Sequence, residues 1–174
     1  MDSILLVSVS VLRILLPIGL IFLGGLASCL SLWVMPIILL PSNTSRSKID
    51  QFKETFRRGG VFLQPTSQAF ALLTSLMGIL SYLHPDPAIV ARASWYMAAT
   101  ATVFQVAWYE TLFIFPINDQ VAAMGKHFSG PGEQMLNDQD QKRLDNLIRS
   151  WQNRQSVRAA LPFAAGCITL AALL

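Results

Sequence analysis

The sequence predicts an all-α protein, an integral membrane four-helix bundle with amphipathic helices in its two cytosolic loops, and three observations lead there. Of the 174 residues, 53% are hydrophobic and 13% are charged, with a mean hydropathy of +0.47; a soluble domain carries about 25% charge. Four apolar runs, residues 4–40, 61–83, 89–117 and 157–174, reach or approach the length of about 20 residues that crosses roughly 30 Å of hydrocarbon as a helix. The basic residues gather between the runs: Arg46, Lys48, Lys53, Arg57 and Arg58 in the first loop, and Lys126, Lys142, Arg143, Arg149 and Arg154 in the third. Lysine and arginine favour the cytosolic side, so both long loops are expected in the cytosol and both termini in the lumen or outside, with the endoplasmic reticulum or another endomembrane as location. The net charge of +3 then reflects topology, which makes the lipid bilayer the expected partner and leaves nucleic acid without a role.

The first run is overlong for one span, so tilt or a kink at Pro17 must absorb the excess. It does not read as a cleaved signal, because Asp2 leads and the apolar stretch passes Trp33. In the first loop Ser47 precedes Asp50 at capping-box spacing, and Ile49, Phe52 and Phe56 share one helical face. Gly59-Gly60 then supplies a stop, which predicts a short amphipathic helix lying at the interface. Within the second run the continuously apolar part, residues 69–83, spans only if residues 61–68 join it, with Pro65 opening or kinking the helix. After His84-Pro85-Asp86-Pro87 the third run ends at Pro116-Ile117-Asn118-Asp119. Ser129-Gly130-Pro131-Gly132 breaks the third loop, and Asn137 starts a helix with Asp138 and Asp140 at its positive end. Leu144, Leu147, Ile148 and Trp151 form its stripe, and no breaker separates it from the last run, which bends near Pro162. Residues 1–174 read as a single membrane domain without repeats.

Several chemistries find no support. Asn43-Thr44-Ser45 matches a glycosylation sequon but would lie in the cytosol. Cys29 and Cys167 are far apart within apolar runs and read as buried small groups, which argues against a dithiol reductase. His84 and His127 lack partners at metal-ligand spacing. Neither a phosphate-binding loop, nor GxSxG, nor HExxH occurs, so no cofactor or metal site is expected. Gly24 with Ser28, Gly25 with Cys29, and Ala98, Ala99 and Ala101 predict close helix contacts.

Glu110 and Arg158 stand out, since an ionised group at membrane depth costs several kcal/mol unless it faces a partner, a bundle interior or water. Gln105, Trp108 and Tyr109 share a face, with Thr102 a turn above and Glu110 at its edge. Gln105 and the threonines are equally explained as interhelical glue. Gln155 lies one turn before Arg158 and Trp151 two turns before it, while Arg154 reads as an interfacial anchor.

This arrangement resembles the anthrone-oxygenase-type membrane proteins over nearly the whole chain. The likeness rests on Gly25 to Pro36, on Phe56-Arg57-Arg58-Gly59 followed by Pro65, on Asn118-Asp119, and on Trp151, Gln155 and Arg158 entering the last span. Gln155 stands where His or Asn is expected. The resemblance implies oxidation of an anthrone methylene to a quinone carbonyl by molecular oxygen in polyketide metabolism, with no cofactor and a planar aromatic polyketide as substrate. Under it Arg158 stabilises the enolate or peroxide oxygen, Asn118 and Gln155 donate hydrogen bonds, and Asp119 or Glu110 accepts the proton. Trp151, Trp108, Tyr109 and Gln105 contact the substrate. The competing readings are an ion pair that merely settles Arg158 and its carboxylate, a scaffold that recruits soluble pathway enzymes through Ile49, Phe52 and Phe56, and an enzyme of the same fold acting on another polyketide.

Overall fold

The computed structural model describes residues 2–126 and 136–173; the expected break at Ser129-Gly130-Pro131-Gly132, and His127, lie outside them. The described residues are helical and contain no strand. Helix α1 (Asp2–Cys29), a π-helical turn (Leu30–Val34) and α2 (Met35–Ile38) form one rod, and α3 (Ser45–Tyr82) the next. The single turn α4 (Pro87–Val90) leads into α5 (Ala93–Tyr109), a second π-helical turn (Glu110–Ile114) and α6 (Phe115–Gly125), which make the third rod. Helix α7 (Asp138–Ala171) is the fourth. The first rod packs on α7 and α3, and α5 packs on α3 and α7, so the rods close into a ring of sequential neighbours. The short connections from α2 to α3 and from α3 to α4 make the first three rods antiparallel in turn.

Of the described helices, the stretch Val9–Ile38 is long and apolar enough to cross a membrane by length and composition. The other rods do not reach that standard: the third carries Gln105 and Glu110 within its apolar stretch, and α3 carries its charged first half and the polar Gln64 to Gln68 segment.

Helix α3 corrects the expected first loop. Its cap is Thr44, whose hydroxyl accepts from the Ser47 N–H at 3.2 Å, rather than Ser47 itself. The helix then runs 38 residues without stopping at Gly59-Gly60. Buried or half-buried positions Ile49, Phe52, Phe56, Leu63, Ser67, Phe70, Thr74 and Met77 keep one helical phase through the glycines, and that continuous face outweighs two weak helix formers. Ile49 and Phe52 are covered by α6 and α7 in the core instead of lying on an interface. On the outer face Arg57 and Arg58 hydrogen bond to Glu54 at 2.6–2.9 Å, and these contacts hold its carboxyl down at about 2. Lys48 is buried and pairs with Asp145 at 2.7 Å, tying α3 to α7.

Asn137 caps α7 as expected, accepting from the Asp140 N–H at 2.8 Å, and α7 continues through Pro162. The Asn43 amide of the sequon is engaged locally: it donates to the carbonyls of Ile37 and Ile38 and so ends α2.

Both π-turns end one residue before a proline, in Leu30-Ser-Leu-Trp-Val-Met-Pro36 and Glu110-Thr-Leu-Phe-Ile-Phe-Pro116. Proline offers no N–H and its ring clashes with the carbonyl four residues earlier, and a widened turn relieves the clash. In this wider register the Met35 N–H bonds to the Leu30 carbonyl, so the Ser31 carbonyl faces Pro36 and has no backbone donor. The Gln152 amide of α7 supplies one at 2.8 Å. At the second turn Arg154 donates to the Phe113 carbonyl at 2.8 Å and lies over the Phe113 ring, which gives it a structural role beyond anchoring.

Core layers follow one another along the bundle. Leu16, Met77, Tyr96 and Ala172 form one end; Leu20, Ala99, Val103 and Ala165, then Leu23, Ala27, Leu63 and Ala159, come next. The largest layer, built around Met35, Phe52, Ile117, Leu144, Ile148 and Trp151, closes the other end. Gly24 and Gly166 let α1 and α7 touch, since a methyl at Gly24 would fall 2.8 Å from the Phe163 Cβ and one at Gly166 2.7 Å from Ile21. Gly25 faces open space, Ala98 and Ala101 are exposed, and so is Cys167, against the expectation for a buried thiol.

Candidate active site

Between the small-residue layers and the large end layer, α5 and α7 bring polar groups inward. Ala93, Tyr96, Ala99, Val103 and Val106 are the buried positions of α5, and Glu110 continues their helical spacing, so that it ends the inner face just as the π-turn begins. On α7 the inner face reads Trp151, Gln155, Arg158 and Ala159. Arg158 is 4% exposed and Glu110 7%, and the Arg158 Nε donates to Glu110 Oε1. The pair is the buried ion contact that the sequence left open as one reading. Each charge is affordable there because the other is present: removing one partner of such a pair costs about 3–5 kcal/mol. The terminal nitrogens of Arg158 make no hydrogen bond among the described residues, and neither does the Gln155 amide, although Gln155 is almost fully buried.

Two hollows meet at this pair. A groove of about 500 Å³ runs between α3 and α5, with Gln64, Gln68 and Leu72 on one wall, Phe104 and Ala107 on the other, and Glu110 toward one end. Small-molecule sites occupy roughly 300–1,000 Å³, so the groove has their size. Three of its hydroxyl groups are turned back onto their own helices: Ser67 donates to Leu63, Thr100 to Tyr96 and Thr111 to Ala107, at 2.7–2.9 Å. That leaves Gln64, Gln68, Ser75 and Glu110 as polar groups available to a guest. A second hollow of about 80 Å³ lies on the other side, bounded by Gly59, Gly60, Trp151, Gln155 and Arg158, and shares Gln64, Glu110 and Phe115 with the groove.

The expected site residues divide accordingly. Glu110, Arg158, Gln155 and Trp151 come together. Trp151 is 2% exposed and packs edge-on against Phe52 with ring centres 5.4 Å apart, while its indole N–H has no partner. Asn118 is buried with its amide unpartnered but lines neither hollow. Asp119 is exposed and lines neither, so the carboxylate at the site is that of Glu110. The expected face of Gln105, Trp108 and Tyr109 does not point inward. Gln105 and Trp108 are exposed, and Tyr109 is half-buried against Phe113 with ring centres 4.9 Å apart. The helix turns its apolar small and branched residues to the core, and only the next position, Glu110, joins them. Sequence reading missed Gln64, Gln68, Gly59 and Gly60; the unbroken phase of α3 was the signal that would have placed them. Among the described residues no three His, Cys, Asp or Glu side chains come together as a metal site.

A family model described as anthrone oxygenase matches residues 52–168, two thirds of the chain, and includes Glu110, Trp151, Gln155 and Arg158. Searches of curated proteins and of solved structures find no match.

Proposed function

Because the chain belongs to the anthrone oxygenase family, we propose that it oxidises an anthrone methylene to the anthraquinone carbonyl with molecular oxygen, in the groove that ends at Glu110. The observation that carries this reading is the placement of a buried carboxylate and guanidinium together at the junction of a ligand-sized groove and a smaller hollow. The flat substrate lies between α3 and α5, with Gln64 and Gln68 positioned to bond its ring hydroxyls. Glu110 takes one methylene proton, and Arg158, which lines the smaller hollow beside the groove, stabilises the peroxide oxygen by charge-assisted hydrogen bonds.

The electron-rich enolate gives one electron to O2, and the resulting radical and superoxide combine in a new C–O bond. The peroxide takes up the proton from Glu110 and loses water by breaking its O–O bond and the remaining C–H bond. One substrate CH2 and one O2 thus give one C=O and one H2O, so no external reductant is consumed and no cofactor is needed.

The reaction suits a bilayer, and the reading includes a multi-pass membrane location with the two long loops in the cytosol. Besides the apolar stretch of α1, large apolar side chains such as Phe22, Trp33, Leu72, Phe104, Leu112 and Phe163 are exposed on several rods. Exposed apolar area on that scale asks for a nonpolar surrounding. The alternative of a scaffold working through Ile49, Phe52 and Phe56 loses most of that surface, since the first two are in the core and Phe56 is half-buried against Phe115.

Purified protein in detergent, treated with chelator, is expected to convert an emodin-type anthrone to its quinone faster than buffer does. Loss of that activity on chelation, restored by a metal, would overturn the cofactor-free chemistry.

A further inference from the structure

Gly59 and Gly60 have no backbone reason to be glycine. Both lie inside α3 in right-handed helical conformation, where each costs about 1 kcal/mol of helix stability relative to alanine. Nor is the packing too tight for a methyl group: one at Gly59 would sit 3.4 Å from the Leu30 Cδ1 and 3.9 Å from the Leu63 Cδ1, and one at Gly60 would meet nothing within 4 Å. What the two residues do is leave space. They form part of the wall of the smaller hollow, together with Leu30, Leu63 and Ile114 on its apolar side and Trp151, Gln155 and Arg158 on its polar side.

At about 80 Å³ this hollow is too small for an aromatic ring, since a buried cavity that admits benzene measures about 150 Å³. It touches the larger groove at Glu110, and its polar side holds donors without partners among the described residues: the indole N–H of Trp151, the terminal nitrogens of Arg158 and the amide of Gln155. An apolar half and a donor-bearing half suit a small neutral molecule that becomes an anion in place. Resting on the oxygenase reading above, we infer that the hollow is the dioxygen site, with Gly59 and Gly60 keeping it open. Dioxygen enters neutral among the leucine side chains, takes one electron from the enolate across Glu110, and meets Arg158 and Gln155 as superoxide. The C–O bond then forms toward the groove, and the distal peroxide oxygen, which leaves as water, stays in the hollow. The aromatic guest occupies the groove alone. Gly59 and Gly60 therefore set the apparent affinity for O2 and not that for the anthrone.

The test uses full-length Gly59→Ala and Gly60→Ala, each of which favours the helix and removes volume from the hollow. Initial rates are measured with O2 and anthrone varied separately, and anthraquinone binding is measured anaerobically. The inference predicts that KM for O2 rises by about fivefold or more in at least Gly59→Ala, while KM for anthrone and the anaerobic binding constant stay within about twofold. A rise in KM for anthrone with KM for O2 unchanged would assign the hollow to the aromatic guest and overturn the inference, as would no change in either. A second readout needs no turnover: with Trp33, Trp95 and Trp108 replaced by Phe, quenching of Trp151 fluorescence by dissolved O2 should fall in Gly59→Ala. If the protein oxidises no anthrone but that quenching falls, the oxygen site stands and the proposed reaction does not. If quenching is unchanged, the oxygen site is refuted whatever the activity.

Discussion

Replacing Arg158 by Met tests whether Glu110 and Arg158 are held together as charges. Methionine keeps much of the side-chain volume and removes the guanidinium, leaving the Glu110 carboxylate 7% exposed with no other cation bonded to it among the described residues. Stranding one member of a buried pair costs about 3–5 kcal/mol. For a chain of this size about 1 kcal/mol corresponds to 2–4 °C, so the melting midpoint in detergent should fall by about 6–20 °C. The pair can be replaced more cheaply than it can be broken, because two apolar side chains need no mutual compensation. Glu110→Leu combined with Arg158→Met should therefore recover most of the loss. Thermal unfolding followed by circular dichroism on the wild type, both single variants and the double variant completes the cycle, and turnover is measured alongside. All three variants should lack anthrone oxidation, so that stability returns in the double variant while activity does not. A double variant as unstable as Arg158→Met would show that the guanidinium contributes packing and not charge compensation, and the electrostatic account of the site would fail.

Other consequences follow from the same geometry. Ala107→Trp narrows the groove from an exposed position on α5, and should raise KM for anthrone by about tenfold or more with little change in melting midpoint; unchanged kinetics would place the substrate elsewhere. Gln152→Leu strands the Ser31 carbonyl at the π-turn, and should cost about 1–3 kcal/mol in unfolding experiments, whereas a neutral result would mean that water satisfies that carbonyl. Glu54, with its carboxyl lowered from 4.5 to about 2 by Arg57 and Arg58, contributes stabilisation that is complete above the ordinary carboxylate range and disappears as pH falls through about 2. Its carboxyl carbon resonance should titrate near 2, and Arg57→Ala should move that midpoint toward 4.5; an unmoved midpoint would refute the contact as its cause.

The helical character and the number of rods were legible because the apolar runs are long and their breaks carry strong markers, such as Asn137 before Asp138 and Asp140. The extent of α3 was not, because Gly59-Gly60 is a strong local stop signal that a continuous buried face overrides, and only the packed bundle shows that face to be covered. Arg158 and Glu110 announced themselves as costly charged groups inside apolar runs, and Gln155 lies one turn from Arg158. Asp119 and Trp108 were candidates too, and the structure turns both outward. Polarity in a run identifies candidates, but which side of a helix faces the interior depends on its neighbours. On α5 the answer was written in Ala99, Val103 and Val106, whose small and branched side chains fit the close approach of α3 and α7 better than Gln105 or Trp108. The hollows themselves were out of reach, since each is formed by residues distant in sequence.

The central claim, that Glu110 and Arg158 drive direct oxidation of an anthrone by dioxygen, is tested most directly by isotope transfer. Purified protein turning over an anthrone under 18O2 should give anthraquinone with one 18O in the new carbonyl and the other in water, at a rate that Glu110→Gln reduces by about a hundredfold or more. An unlabelled quinone carbonyl formed under 18O2, with control anthraquinone retaining its label in the same buffer, or an undiminished rate in Glu110→Gln, would contradict it.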